Sequence, residues 1–211
     1  MPHDAHDAIV VEDEAGNIEG QIIVDALQEV LIAKGLVTAH EVTAAIAKLE
    51  SPGIHQGAEI VAKAWTNPAF KAALLADGRA AIQSLGMAVT EARIIVVENT
   101  PDQHNLITCT LCSCYPRSIL GQPPSWYISK AYRARSVREP RKVLAEFGLD
   151  LPEDVQLTVH DSNADMRYLV LPEQPDWAAD WSETDLAALI TRDHLIGVGY
   201  RLIASAAEEI G

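Results

Sequence analysis

The sequence predicts an α+β protein, in which a helical N-terminal segment precedes a small mixed β domain with flanking helices. Apolar residues recur at helical spacing over residues 20–86, whereas short β-branched segments with a period of two follow Gly86. With 211 residues, of which 48% are hydrophobic, the chain can bury a substantial core. We therefore divide it into a flexible acidic lead-in (1–19), a helical segment (20–86) and an α/β domain (87–211).

The helical segment divides into four predicted helices at glycine, proline and capping residues. The first helix begins near residue 20 and ends near Gly35. The second has Thr38 as its N-cap and Glu41 three residues later, which is a capping-box pattern. The other two cover residues 57–65 and 67–86. This Ala-rich segment is expected to wrap around another surface rather than to carry chemistry.

The second half of the chain alternates strand-like and helix-like segments. Strands are predicted over residues 93–98, 104–108, 155–160 and 166–171, with the last two forming a hairpin, and a short apolar strand over residues 195–198. Helices are predicted over residues 125–134, 139–147 and 182–192. Residues 115–124 contain three prolines and a glycine and are predicted to form a loop.

Charge and hydropathy exclude several classes of protein. The chain has 16 Lys and Arg against 30 Asp and Glu, a net charge of −14, which disfavours binding to nucleic acid or to an anionic membrane surface. No apolar run approaches the roughly 20 residues that a membrane span needs. The acidic beginning of the sequence lacks the basic and apolar regions of a secretory signal. We therefore expect a cytoplasmic protein with no membrane or nucleic-acid partner.

All three cysteines of the chain lie within residues 109–114, in the pattern C-x-x-C-x-C. Such a cluster is no disulfide framework and fits a reducing compartment. Three buried structural thiols are one interpretation, and a redox C-x-x-C pair with a third cysteine left over is another. Structural zinc is a third, with His104 or His160 as the fourth ligand, although neither histidine has zinc-finger spacing.

The spacing also suits a different kind of metal site. In Cys112-Ser113-Cys114, two sulfurs flank two backbone amides, so both sulfurs and the amide nitrogens of Ser113 and Cys114 can bind one metal in a plane. Cys109 can reach one axial position, and the opposite face stays open, as in catalytic metal sites. Deprotonated amides favour a low-spin trivalent ion over zinc. Such an ion would act as a Lewis acid, and the thiolates would be prone to oxygenation.

Residues 109–116, with the sequence CTLCSCYP, resemble the metal-binding claw of the nitrile hydratase α subunit. The likeness is continuous from about residue 65 to residue 198. It includes the segments Val97-Glu98-Asn99-Thr100-Pro101, His104-Asn105, Gly121 to Tyr127, Tyr132-Arg133-Ala134-Arg135, Val137-Arg138-Glu139-Pro140-Arg141, Asp161-Ser162, Arg167-Tyr168 and Thr191-Arg192-Asp193. On this resemblance, residues 87–211 are the metal-binding catalytic domain.

The resemblance implies that Cys109, Cys112 and Cys114 are sulfur ligands, and that Ser113 and Cys114 add backbone amides. It also implies that Cys112 becomes a sulfinic acid and Cys114 a sulfenic acid whose oxygen is a candidate nucleophile or base. The catalytic residues would be Cys112, Ser113 and Cys114. Thr110 resembles the cobalt type, so we expect one Co(III) per chain, with Fe(III) as the alternative and no organic cofactor.

Two positions depart from the family pattern. Arg117 stands where most nitrile hydratases carry a tryptophan that lines the substrate pocket, and an arginine there resembles the γ subunit of thiocyanate hydrolase. Thr90 stands roughly where a glutamine often occurs in the iron enzymes. We assign Arg117 and Thr90 to the substrate pocket on this basis. Arg167 is expected to hydrogen-bond near the oxidised cysteines, with a buried salt bridge as its alternative role.

The sequence therefore predicts the metal-bearing catalytic subunit of a nitrile hydratase, a hydro-lyase that converts a nitrile to the amide. Two alternatives stay open at this point: the γ subunit of thiocyanate hydrolase, which converts thiocyanate to carbonyl sulfide and ammonia, and a zinc-binding structural module. The resemblance also implies a β-type partner subunit that completes the site in a hetero-oligomer. An activator protein that inserts the metal is a further expected partner.

Overall fold

The computed structural model describes residues 9–10, 18–50 and 53–202. Five helices come first: α1 (Ile18–Ala33), α2 (Ala39–Glu50), α3 (Ile54–Thr66), α4 (Pro68–Ala76) and α5 (Gly78–Ser84). Most of the predicted lead-in over residues 1–19 lies outside the described residues. Among the described helices, none has both the length and the apolar character needed to cross a membrane.

The N-terminal helices follow the predicted capping pattern, with one difference. At the start of α2, the Thr38 hydroxyl accepts the Glu41 amide at 3.1 Å, and the Glu41 carboxylate accepts the Thr38 amide at 2.8 Å. The single helix predicted over residues 67–86 is in fact two, because Asp77 adopts an extended conformation between α4 and α5. The Asp77 carboxylate accepts the Ala80 amide at 3.0 Å and so begins α5.

The strands of the second half are β1 (Arg93–Glu98), β2 (Gln103–Thr108), β3 (Gln156–Asp161) and β4 (Met166–Leu171). Within the described residues they form two parallel pairs. β1 pairs with β4, from Arg93 opposite Met166 to Glu98 opposite Leu171, and β2 pairs with β3, from Gln103 opposite Gln156 to Thr108 opposite Asp161. The predicted α+β class is confirmed, because the described residues form helices and two small parallel sheets.

The hairpin predicted between residues 155–160 and 166–171 is wrong. β3 and β4 are consecutive in the chain, but each pairs with a different earlier strand. The connecting residues form a turn in which the Asn163 side chain accepts the amides of Asp165 and Met166 at 3.0 and 3.1 Å. The short loop between β3 and β4 therefore connects two different sheets.

The remaining helices lie in the crossover and at the end of the described chain: α6 (Arg117–Leu120), α7 (Ser125–Ile128), α8 (Lys130–Arg138), α9 (Pro140–Glu146), α10 (Glu183–Ala188) and α11 (Arg192–Ile196). The loop predicted over residues 115–124 thus contains a short helix. The strand predicted over residues 195–198 is wrong, because Leu195 and Ile196 are the last residues of α11 and Gly197 caps it in the left-handed conformation.

One hydrophobic core joins the helices that follow residue 53 to both sheets. Buried residues from α3, α4, β1, β2 and β4 belong to the same cluster, including Val61, Leu74, Ile94, Leu106 and Leu171. A polar network links the two sheets. Its bonds run from His160 Nε2 to Asn105 Oδ1 at 2.9 Å, from the Asn105 amide to Asn99 Oδ1 at 2.8 Å, and from Asn99 Nδ2 to His104 Nδ1 at 3.3 Å.

Candidate metal centre

The cysteine loop, residues 109–114, begins where β2 ends. Because β2 and β3 are parallel neighbours, the end of β3 lies beside the beginning of this loop. Asp161, the last residue of β3, accepts the Thr110 amide at Oδ1 (2.9 Å) and the Thr110 hydroxyl at Oδ2 (2.6 Å). The Asp161 carboxylate thus holds Thr110, the residue that follows Cys109 in the loop.

The three cysteine sulfurs converge on one point. All three Sγ atoms lie within 4.8 Å of one another. Cys112 Sγ is 3.5 Å from Cys109 Sγ and 3.1 Å from Cys114 Sγ. Cys109 and Cys114 are buried, whereas Cys112 is exposed, so the cluster is open to solvent on one side. Soft sulfur donors gathered in this way fit a transition metal.

The ionisation of the thiols is uneven. Hydrogen bonds from Cys114 and Cys109 lower the pKa of the Cys112 thiol, and the backbone N–H groups of Ser113 and Cys114 lower it further. Burial raises the pKa of Cys114 to about 12, and the hydrogen bonds to Cys112 and Cys109 act in the same direction. A compensating cation is needed to hold Cys114 as a thiolate at neutral pH, which a bound metal supplies.

An aromatic cluster supports the loop from below. The Tyr127 hydroxyl donates to the Cys114 carbonyl at 2.8 Å, and the Tyr132 hydroxyl donates to the Ile107 carbonyl at 2.6 Å. Trp126 packs edge-on against Tyr132, with 5.0 Å between the ring centroids. These buried rings hold the cysteine loop against β2 and α8.

The predicted pocket residues occupy different positions around the loop. Arg117 begins α6 and is exposed, and Thr90 is exposed in the segment before β1. Arg167 lies close enough for its charge to lower the pKa of Cys114. Its guanidinium donates to the carbonyls of Asn163 and Met166, and within the described residues its buried Nε has no hydrogen-bond partner.

Neither histidine considered as a zinc ligand joins the cysteines. His104 Nε2 donates to the Gly197 carbonyl at 2.7 Å, and His160 bonds Asn105. In the part of the chain that the structure describes, the group of side chains that can hold a metal consists of the three cysteines. A tetrahedral zinc site would therefore lack its fourth protein side chain here.

Asp161 is a residue of the site that the sequence analysis did not select. A signal was present, because Asp161 directly follows one predicted strand just as Cys109 directly follows another. That signal requires the two strands to be parallel neighbours, and the predicted hairpin placed β3 beside β4 instead. Tyr127 is a second such residue, because nothing in the sequence indicates that its hydroxyl donates to the Cys114 carbonyl.

Fold and site together define a cysteine-rich metal-binding subunit, in which two parallel strand pairs and a crossover of short helices present one C-x-x-C-x-C loop. The family model described as "Nitrile hydratase, alpha chain" matches residues 18–199. The chain therefore belongs to the nitrile hydratase α-chain family, which confirms the resemblance and the prediction of a catalytic subunit of that kind.

Several relatives support this membership. The chain is 46% identical to a nitrile hydratase α subunit from a Rhodococcus species, with 83% of this chain and 90% of the relative aligned. It is 43% identical to a low-molecular-weight cobalt-containing nitrile hydratase α subunit from Rhodococcus rhodochrous, covering 92% and 95%. It is also 42% identical to the γ subunit of thiocyanate hydrolase from Thiobacillus thioparus, covering 84% and 78%.

Solved structures give the same picture. A double histidine-to-alanine variant of the Fe-type nitrile hydratase from Comamonas testosteroni Ni1 matches with a TM-score of 0.81 and 48% identity, over 90% of this chain and 93% of that one. An arginine-to-tryptophan variant of thiocyanate hydrolase matches with a TM-score of 0.73 and 40% identity, over 85% and 88%. Relatives of both activities and both metals thus share this fold.

Proposed function

We propose that this chain is the metal-bearing subunit of a nitrile hydratase, which adds water to a nitrile to give the amide. The observation that carries the proposal is the convergence of three sulfurs within 4.8 Å on a loop with one exposed side. The family membership and the nitrile hydratase relatives support the reaction.

The donor set fits a low-spin trivalent ion. Cys109, Cys112 and Cys114 would hold it through sulfur, and Ser113 and Cys114 through their amide nitrogens. We propose one Co(III) per chain, supported by cobalt-containing relatives, and Fe(III) is the alternative because an Fe-type enzyme matches the fold with a TM-score of 0.81. When bound, such an ion supplies Lewis-acid activation.

Side chains of this chain would position the cysteine loop, accept a proton and stabilise negative charge. Asp161 and Tyr127 hold the two limbs of the cysteine loop. The proposed sulfinic acid at Cys112 and sulfenic acid at Cys114 place oxygen atoms beside the open face, where the Cys114 oxygen accepts a proton from the attacking water. Arg167 lies beside Cys114 and supplies the positive charge that favours the oxygenated anion.

Thiocyanate is the second candidate substrate, and one residue favours it. Arg117 begins the helix after the cysteine loop and is exposed, and a guanidinium there attracts an anion, whereas an apolar side chain suits a neutral nitrile. The similarity to a thiocyanate hydrolase γ subunit adds to this alternative. We place Arg117 and Thr90 at the rim of the substrate pocket.

We propose that a β-type subunit closes the open face, because Cys112 and Leu111 are exposed, Leu111 by 82% of its surface. The names of the relatives describe subunits, which agrees with a hetero-oligomer. An activator that inserts the metal and a cytoplasmic location complete the proposal.

The test is an assay of the chain co-expressed with its β-type partner and loaded with cobalt. We expect amide formation from a small aliphatic nitrile to exceed ammonia release from thiocyanate. Turnover of thiocyanate alone would contradict the proposal in favour of the second candidate. A Cys114→Ser variant with unchanged activity would contradict the assignment of the site itself.

A further inference from the structure

Glu91, in the segment between α5 and β1, reaches across to the helix that follows the cysteine loop. The Ser118 amide donates to Glu91 Oε1 at 3.0 Å. The Ser118 hydroxyl donates to Glu91 Oε2 in a second, very close hydrogen bond. One carboxylate thus binds two donors of the second residue of α6.

Helix α6 depends on the Glu91 carboxylate, because the N-cap residue of α6 has no side chain that can accept a hydrogen bond from the first turn. Pro116 occupies the cap and makes no side-chain cap hydrogen bond. The amides of Ile119 and Leu120 reach the Pro116 carbonyl, but the Ser118 amide does not have such a partner within the turn. Ser118 is only 9% exposed, so water is a poor substitute. Glu91 therefore acts as a long-range cap for this turn.

The turn that Glu91 holds also carries Arg117. From residue 114 to residue 121 every residue is buried except Arg117, which is exposed. Arg117 directly precedes Ser118 and follows the capping proline, so the bonds between Ser118 and Glu91 hold the backbone from which the Arg117 side chain projects. Thr90, which was predicted to lie in the pocket, is the neighbour of Glu91.

We infer that Glu91 is a positioning residue that orients Arg117 and thereby sets the preference of the metal centre between anionic and neutral substrates. Glu91 itself does not touch the substrate in this inference. The inference rests on the proposed function, since it requires Arg117 to border the substrate pocket. It adds a determinant of specificity that lies outside the cysteine loop, 18 residues before Cys109 in the chain.

The test compares Glu91→Ala and Glu91→Gln in the cobalt-loaded complex with the β-type partner. The measurements are cobalt content, the absorption spectrum of the centre, KM for a neutral aliphatic nitrile and the inhibition constant of thiocyanate. We expect Glu91→Ala to keep the cobalt and the spectrum but to weaken thiocyanate about tenfold relative to the nitrile. Glu91→Gln, which keeps an acceptor for the Ser118 amide, should stay within about twofold of wild type.

Glu183→Ala is the matched control. Glu183 accepts the Thr66 hydroxyl at 2.8 Å and pairs with Lys63 at 3.0 Å, so this variant removes a similar carboxylate from the packing of α10 on α3. It should leave the ratio of the two constants unchanged. An equal shift in this control would show a general loss of stability and overturn the inference.

Two further results would overturn it. Tighter thiocyanate binding in both Glu91 variants would show that Glu91 acts through its charge, and an unchanged ratio in Glu91→Ala would show no effect on Arg117. If Glu91→Ala fails to assemble, Ser118→Ala decides: a smaller shift in the same direction supports the inference, and none contradicts it. A wild-type enzyme that does not hydrate nitriles would instead contradict the proposed function.

Discussion

Asp161 illustrates how much a single residue outside the cysteine loop contributes to the metal centre. Its two oxygens accept the backbone amide and the hydroxyl of Thr110, the residue directly after Cys109. Residues that orient metal ligands typically change metal affinity by about 10- to 100-fold when they are substituted. We therefore treat Asp161 as part of the site, although its carboxylate joins no sulfur.

Asp161→Asn is expected to lower metal retention by at least about tenfold, because an amide cannot accept both Thr110 donors. Cobalt content after dialysis against a chelator measures this effect. Asp185→Asn is the control, since the Asp185 carboxylate accepts the Ser182 hydroxyl at 2.6 Å in α10 instead. Equal cobalt loss in the two variants would contradict the assignment of Asp161.

His194 is a residue whose protonation state contributes to folding. Burial lowers the pKa of His194 to about 4, and its Nδ1 accepts the Thr191 amide at 2.9 Å at the start of α11. Because this pKa lies below the ordinary value of 6.5, the stabilisation is complete above that pH and is lost as the pH falls towards 4. The loss is on the order of 3 kcal/mol.

His194→Gln keeps an acceptor for the Thr191 amide but does not titrate. The free energy of unfolding, measured in urea from pH 7 to pH 4.5, should therefore fall less steeply in this variant than in wild type. Parallel pH profiles for the two proteins would show that His194 is not the titrating group.

At the scale of elements, the end of α11 shows why some of the fold could not be predicted. Residues 195–198 are a short apolar run, which has the same pattern in a buried strand and in a buried helix. Features at the two ends of the run determine that it is a helix. The His194 side chain completes a capping box at the start of α11, and Gly197 ends the helix with a φ of 87°. The β-branched strands themselves were predictable, but their parallel pairing depends on the crossover helices and is not written in any local pattern.

Gly197→Ala should disrupt the packing of α11 on β2. A Cβ at Gly197 would lie 1.9 Å from the Asn105 carbonyl oxygen, so the loss in unfolding free energy should exceed about 3 kcal/mol. Gly148 also has a positive φ, of 80°, but a Cβ there meets nothing within 4 Å. Gly148→Ala should cost only about 1 kcal/mol. Equal losses in denaturant unfolding would contradict this close approach.

At the scale of the whole molecule, α1 presents apolar side chains that the described chain does not cover. The exposed residues are Ile22, Ile23, Val24, Leu27 and Val30. We assign this face to the proposed hetero-oligomer, in agreement with the expectation that the helical segment wraps around another surface. The β-type partner was predicted from the family resemblance, and the exposed apolar residues of α1 add a structural reason to expect one.

Leu27→Asp should weaken assembly with the β-type subunit by about tenfold, since it places a charge in an apolar contact. Gln28→Asp, a polar and exposed neighbour on the same helix, controls for the change in helix propensity. Co-purification and sedimentation measure the effect. Equal assembly of the two variants would remove α1 from the interface.

The clustering of the three cysteines was predictable because their spacing places them on one short loop, whereas Asp161, Tyr127 and Glu91 act through contacts between distant parts of the chain. The central claim is that residues 109–114 bind one trivalent metal. X-ray absorption and elemental analysis of the purified complex test it most directly. We expect one cobalt or iron per chain with mixed sulfur and nitrogen ligands, and by mass spectrometry two added oxygen atoms on Cys112 and one on Cys114. Stoichiometric zinc with unmodified cysteines would contradict it.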